Sequence, residues 1–460
     1  MLIFYDFETS QKDFLGQILS YYFVLVDEHY QPIKECAGLI KPNRLELPAC
    51  GAIVVNQLSI QRCLTEGQRE CDAAITIHQF LQQCTQDHGH VPLVGFNSAR
   101  FDFKHVEKLL LKHGLSPTFY GKITSLDIYQ YSKYCALTEP DKFPFIKHKK
   151  SDTDRYSFRL EDLAKAFNCL DTPQTHDAKD DVLLTLSLTQ ALEASFSTSL
   201  QQFRAHQHNT EAFNTPNIML KEPVFALEQI ADTPIVTTNE WLVIGKASKS
   251  TYILLDIKAY HNTPPQTFSD YATITRYFNT RTTTFSYSTH PNTHDAIKND
   301  PNIQKITDNA LQYFKLFPVD WDIEYRPWAM GFDCIDTLRT YIERLHQNPD
   351  DYSAIISDWK SLKQTRPTKS TELHFMITLF NRYYLNHHPT PNPDHIQKYI
   401  GPRYVSGHMH RNPMDHTHPD TELATIEFHL TNAPKSSHEQ SILNELKDYT
   451  QQFISHYLKS

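Results

Sequence analysis

Asp6 and Glu8 stand two residues apart in the apolar string FYDFETS. On a strand, that spacing turns both carboxylates to the same side. Asp102 closes the string GFNSARFD, where a helix is expected to begin, and Asp181 sits in HDAKDDV beside Val182, Leu183 and Leu186. Taken singly, the first two sites have plain readings: a strand-end charge pair and a helix cap. A carboxylate beside an apolar run, like Asp181, needs a compensating partner, and a metal ion is one. If the fold gathers these four acids, they require cations to cancel their repulsion, and their all-oxygen character suits Mg²⁺ or Mn²⁺. Two such ions can activate a water on one side of a phosphodiester and stabilise the leaving oxygen on the other. His176, five residues before Asp181, could then take that water's proton, because imidazole titrates near pH ~6.5. Among 25 histidines, a surface or capping role is the plain alternative.

The elements that must hold these residues come from the first 195 positions. Leu2 to Glu8, Gln17 to Val26 and Ile33 to Ile40 are apolar, β-branched or aromatic runs, an antiparallel three-stranded start. PLVGF (92–96) reads as a buried strand, followed by a helix with Val106, Leu109, Leu110 and His113 on one face. SLDIYQY (125–131) is a strand or a strand-to-helix passage. Leu160, Leu163, Ala164 and Phe167 recur at helical spacing, and a further helix runs from Asp177 to Leu192. Together they predict an α/β domain with a mixed sheet flanked by helices, of ribonuclease H-like type. Residues 196–348 turn to short β runs, PIVTT (234–238), WLVIG (241–245), YILLDI (252–257) and TTTFSYS (282–288), which read as a small β-barrel. From 349 to 460 the pattern is helical, strongest in 371–385 and 438–458.

Composition narrows the chemistry. With 460 residues, 40% hydrophobic and 21% charged, the chain is expected to form about three globular domains. No apolar stretch approaches the ~20 residues of a spanning helix and no basic leader precedes the first strand, so a cytoplasmic protein without membrane contact is expected. Eight cysteines without a CxxC pair read as free thiols. A net charge of −9 excludes capture of a polyanion by bulk charge, so a nucleic acid would need a local basic groove. Neither GxGxxG nor GxxxxGK[ST] occurs, which argues against a nucleotide-dependent dehydrogenase or a P-loop ATPase.

Five strings in order, FYDFETS, GAIV (51–54), GFNSARFD (95–102), SFRLEDLAKA (157–166) and HDAKDDV (176–182), resemble the motifs of bacterial exonuclease I, a DEDDh-class 3′→5′ exodeoxyribonuclease specific for single strands. Further on, PIVTT and YILLDI resemble strands of that family's SH3-like domain, 334–349 its transition to the helical domain, and 379–389 a segment late in that domain. The resemblance implies an exonuclease domain (1–195), an SH3-like β-barrel (196–348) and a C-terminal helical domain (349–460). It implies Asp6, Glu8, Asp102 and Asp181 as ligands of two Mg²⁺ ions, with Mn²⁺ able to substitute, and His176 as general base. Arg159 would bind substrate phosphate, with a salt bridge to Glu161 or Asp162 as the alternative. Thr9 and the backbone after Glu8 would lie by the terminal nucleotide, and Asn97, Arg100 and Phe101 near substrate. Implied partners are single-stranded DNA and the single-stranded DNA-binding protein, with a monomeric enzyme acting in DNA repair.

The chain departs from the family at Gln11 and Gln57, which replace glycines, and in a shortened segment between PIVTT and YILLDI. KFPFIKHKK (142–150) mixes cations with Phe143 and Phe145 and could track a backbone and stack bases, or be a solvated loop. The His408 to His418 segment reads as a loop. Two rival functions remain at this level, a 3′→5′ exoribonuclease and a single-strand-binding protein without turnover.

Overall fold

The computed structural model describes residues 1–11, 16–99, 101–117, 119, 121–147, 156–170, 177–211, 223–229, 235–246, 251–262, 275–279, 285–287, 303, 305, 307–308, 330–404, 418–432 and 436–457. Its first sheet contains β1 (Leu2–Thr9), β2 (Ile18–Val26), β3 (Pro32–Leu39), β4 (Val91–Gly95) and β5 (Ile123–Asp127), in the order β3-β2-β1-β4-β5. β1 is central, antiparallel to β2 and parallel to β4, so the sheet is mixed as expected. A strand in that position must bury both faces. Alternation sends Ile3, Tyr5 and Phe7 into one core and Phe4 into the other.

Helices cover each face. α1 (Cys50–Asn56), α2 (Ile60–Glu66) and α3 (Glu70–His88) follow β3, and α4 (Asp102–Lys112) follows β4. Ala73, Ile77 and Leu81 of α3 and Val106 and Leu110 of α4 close the core of Ile3 and Tyr5. On the other face, α5 (Ile128–Thr138), α6 (Leu160–Ala166) and α7 (Ala178–Ser195) pack Tyr129, Leu163, Val182 and Leu186 over Phe4. The sequence reading places no helix between Ile40 and Pro92, yet three lie there. α1 and α2 have seven residues each, too few to show a period or to hold as isolated helices. They are stable because Ile53 and Cys63 pack on Ile426, Leu443 and Leu446 near the far end of the chain.

A second sheet comprises β6 (Tyr156–Ser157), β7 (Pro223–Gln229), β8 (Ile235–Lys246), β9 (Thr251–Asp256), β10 (Thr275–Asn279) and β11 (Phe285–Tyr287). Its order is β10-β9-β8-β7-β11, all antiparallel, with β6 pairing β8. Among the described residues this path is open; the barrel expected for 196–348 is not found as a closed one. Residues 235–238 of PIVTT and all of WLVIG are not separate strands but parts of the 12-residue β8. β6 ties the first 195 residues to this sheet, and α8 (Leu200–Glu211) runs where the helical pattern was expected to stop. α9 (Ile257–Asn262) follows β9.

The last part is helical, as expected: α10 (Phe332–Gln347), α11 (Tyr352–Thr365), α12 (Ser370–His387), α13 (Pro393–Tyr404), α14 (Pro419–Asn432) and α15 (Ser437–Tyr457). Leu338 and Ile342 of α10 share a core with Phe380 of α12 and with Leu45, Leu47 and Leu111 of the first part. Gly114 marks the closeness of that seam: its φ is +69°, and a Cβ there would lie 2.5 Å from the Arg339 backbone nitrogen. The eight cysteines are all free. No helix among the described residues is long and apolar enough to cross a membrane.

Candidate active site

The strand period places Asp6 and Glu8 on the face of β1 opposite Tyr5 and Phe7, both half-buried. The register of β1 against β2 slips between Glu8 and Thr9, a bulge of the kind that re-aims side chains at sheet ends. α7 crosses this face. Its N-cap Asp177 accepts a hydrogen bond from the Lys179 backbone at 2.9 Å, fixing the first turn, which holds Asp181. One ligand atom each from Asp6, Glu8 and Asp181 lie within 4.8 Å of one another.

Asp102, 6% exposed, opens α4 beside them. The loop leading to it is held by a residue the sequence reading did not single out. Asp127, at the end of β5, accepts hydrogen bonds from the backbone N–H groups of Asn97 (2.8 Å), Ala99 (3.2 Å) and Tyr129 (2.9 Å). Asn97 takes the left-handed conformation, φ 56°, in this turn. The clue in the sequence is an Asp between a strand and a helix, the usual N-cap position.

The electrostatics of the group are one-sided. Burial first, then the carboxylates of Asp102, Glu8 and Asp181, push Asp6 well above the usual range. Burial, then Asp181 and Asp102, pushes Glu8 up to about 9. Burial also leads for Asp102, offset by a backbone hydrogen bond and reinforced by Asp127 and Asp181. Acids that raise one another's affinity for protons could also hold a divalent cation, and an all-carboxylate donor set fits a hard ion.

A cavity of about 410 Å³ opens beside Glu8, lined by Thr9, Gln11, Gly51, Val55 and Glu422 among others. That is within the range of small-molecule sites, roughly 300–1,000 Å³. Thr9 Oγ1 donates to the Gln11 carbonyl at 2.7 Å, and the Gln11 amide donates to the Leu47 carbonyl at 2.9 Å. The second family glycine is replaced by Gln57, which itself adopts the left-handed geometry, φ 52° and ψ 29°, at the end of α1. Both departures therefore keep a defined loop path. Glu422 of α14 was also missed; its carboxylate accepts from the Cys50 backbone at 2.9 Å, so the helical part walls this cavity. No local pattern in the sequence announces such a long-range contact.

The other expected residues are spread more widely. Arg159 is exposed at the N-cap of α6 and forms no ion pair among the described residues; Glu161 is paired with Lys165 at 2.5 Å and Asp162 accepts from Ser157. Phe101 is half-buried against His105, ring centroids 4.3 Å apart. His176, Arg100 and most of the His408 to His418 segment lie outside the described residues. Of the aromatics in KFPFIKHKK, Phe143 is buried and stacked on Phe158 at 5.2 Å, so it belongs to the core; Phe145 packs on Tyr156 at 4.6 Å.

No protein-family model and no curated protein matches the chain. Solved structures do. The chain is similar to E. coli exonuclease I in complex with a dA16 oligonucleotide, with a TM-score of 0.70 and 13% identity over 98% of this chain and 99% of that one. It is similar to a moderately thermophilic exonuclease I from Methylocaldum szegediense, with a TM-score of 0.70 and 16% identity over 98% and 99%. It is also similar to the exonuclease in an ExoI/SSB-Ct complex, with a TM-score of 0.67 and 13% identity over 98% and 99%. Over 98% of its length the chain thus has the exonuclease I fold that its motifs resemble.

Proposed function

We propose that this chain is a 3′→5′ exodeoxyribonuclease that removes nucleoside 5′-monophosphates from the 3′ end of single-stranded DNA. The observation that carries this is the convergence of Asp6, Glu8 and Asp181, with Asp102 adjoining, where Glu8 also lines a cavity of about 410 Å³, on the exonuclease I fold. In this reading the four carboxylates hold two Mg²⁺ ions, or Mn²⁺ in their place. Bound there, the ions lower the pKa of water and neutralise charge on the phosphate. His176 takes the proton of the attacking water, and Arg159 offers a planar guanidinium to phosphate. Thr9 and the backbone after Glu8 line the cavity for the terminal nucleotide, with Asn97, Arg100 and Phe101 toward the strand.

The division into parts at 195 and 348 belongs to this proposal, with α10 joined by its packing to the last part. So does an SH3-like identity for the middle part, supported by its antiparallel sheet. The same reading gives a cytoplasmic monomer in DNA repair. Its partners are single-stranded DNA and, by likeness to the exonuclease of the ExoI/SSB-Ct complex, the single-stranded DNA-binding protein.

The test uses 3′- and 5′-labelled single- and double-stranded DNA and RNA, with Mg²⁺ or chelator. Stepwise loss of 3′ mononucleotides from single-stranded DNA, only with metal, is expected. Equal or faster degradation of RNA, or binding without products, would replace this reading. His176→Ala should lower the rate about 10²- to 10⁴-fold with metal affinity kept, and partial recovery at higher pH would mark a lost base.

A further inference from the structure

A second group of metal-type donors lies on the seam between the first part and the helical part. Glu70 opens α3, His113 caps the end of α4, and His387 ends α12; one ligand atom from each lies within 4.8 Å of the others. Glu70 and His113 have side chains only 3% exposed. Neither ring nitrogen of His113 makes a hydrogen bond; Nε2 stands 3.6 Å from Glu70 Oε2, too far for one. A buried imidazole with both nitrogens unused is rare and calls for a ligand or a water. The three donors face a cavity of about 20 Å³, room for roughly one water.

The donor chemistry differs from that of the active site. The His113 and His387 rings lie 6.0 Å apart between centroids beside Glu70, so imidazole nitrogens and a carboxylate oxygen converge there. Two imidazole nitrogens and one carboxylate oxygen suit a borderline ion such as Zn²⁺ rather than Mg²⁺. Lys112 meets the other oxygen, Glu70 Oε1, at 2.6 Å, the place of an outer partner that orients a ligating carboxylate.

We propose that Glu70, His113 and His387 form a Zn²⁺-class site, completed by one water, that clasps the exonuclease part to the helical part. The rival outcome is that Lys112 alone satisfies Glu70 and no ion binds.

The test does not depend on nuclease activity. Full-length protein carrying Asp181→Asn, which weakens the active-site ligands, is stripped with chelator and titrated with Co²⁺. One equivalent with the visible bands of four-coordinate Co²⁺ is expected, and Zn²⁺ should displace it and raise Tm. Adding His387→Gln, at a half-buried position, should weaken binding about 10-fold or more and remove the Zn²⁺-dependent Tm gain. His113→Gln, with folding checked by circular dichroism, should do the same. Absence of binding, Co²⁺ bands that survive His387→Gln as cysteine ligation would, or only six-coordinate spectra would overturn the proposal.

Discussion

Helix α4 carries buried charge at both ends, and the two ends are built on opposite terms. At its start Asp102 adjoins Asp6, Glu8 and Asp181, and the neighbours that shift each acid are other acids. At its finish Lys112 and His113 meet Glu70. Burial alone would raise the Glu70 carboxyl, but the Lys112 ammonium, 2.6 Å from Oε1, outweighs it and holds it below the usual range. Burial is common to both clusters, so burial does not decide which carboxylate stays ionised; the partner does. One cluster has a lysine counter-charge in the chain, and the other has no cationic side chain among the groups that shift it.

The largest effect should come from removing a ligand at the acid-rich end. Asp181→Ala is expected to lower Mg²⁺-dependent hydrolysis about 10³-fold or more, since a bound metal contributes several kcal/mol and each ~1.4 kcal/mol is tenfold in rate. Near-normal single-turnover rates in that variant would end the metal reading of this cluster.

Stability should separate the two ends by sign. Measured in chelator, Glu70→Gln removes the charge that Lys112 meets in a buried pair and should cost about 3–5 kcal/mol. Asp6→Asn removes one of several repelling acids and should stabilise the metal-free protein by roughly 0.5–2 kcal/mol while lowering activity. Urea unfolding gives both values, and a destabilising Asp6→Asn would show that its charge is already compensated within the chain.

The pH response follows the same division. Glu8 holds its proton to about 9 when folded and releases it near 4.5 when unfolded, so between these values the folded state binds more protons. Stability of the chelated protein therefore falls as pH rises through that window. Saturating Mg²⁺ keeps the acids ionised and should flatten the slope. Glu70 acts in the other direction: lowered when folded, it contributes stability above pH ~4.5 that is lost on acidification. Thermal unfolding across pH with and without Mg²⁺ reads both; a chelated protein that gains stability from pH ~5 to ~9 relative to the Mg²⁺-loaded one would contradict the assignment.

What was legible in the sequence follows from how local each signal is. Asp6 and Glu8 share a strand face by period alone, and Asp102 and Asp181 lie at the starts of helices whose apolar faces are plain in the chain. Glu70, His113 and His387 are scattered over three helices, and only the packing of α12 on the first part brings them together. Glu422 reaches the active-site cavity by the same kind of long-range contact. Phe143 misled because an aromatic next to lysines has the composition of a stacking surface whether or not a core such as Phe158 absorbs it. β8 was divided because Thr237, Thr238 and Asn239 look like a turn, while pairing with Glu228, Leu227 and Ala226 of β7 keeps them extended.

The smallest expected effect is the most exacting for the comparison: the two ends of α4 should not feel each other. Eleven helical residues separate them by about 16 Å, beyond the roughly 7–10 Å within which substitutions usually couple. The groups that shift Asp6 and those that shift Glu70 have no member in common. In chelator, the double variant Asp6→Asn/Glu70→Gln should therefore show the sum of the single effects to within about 0.3–0.5 kcal/mol. A coupling above about 1 kcal/mol, persisting when salt is raised, would mean that α4 transmits strain or position between its ends. In that case the zinc-class site at the seam would bias the geometry of Asp102, and a metal bound at one end would tune catalysis at the other. Additivity instead leaves the seam cluster as a clasp and the acid cluster as the reaction site, joined by a helix that carries neither one's charge to the other.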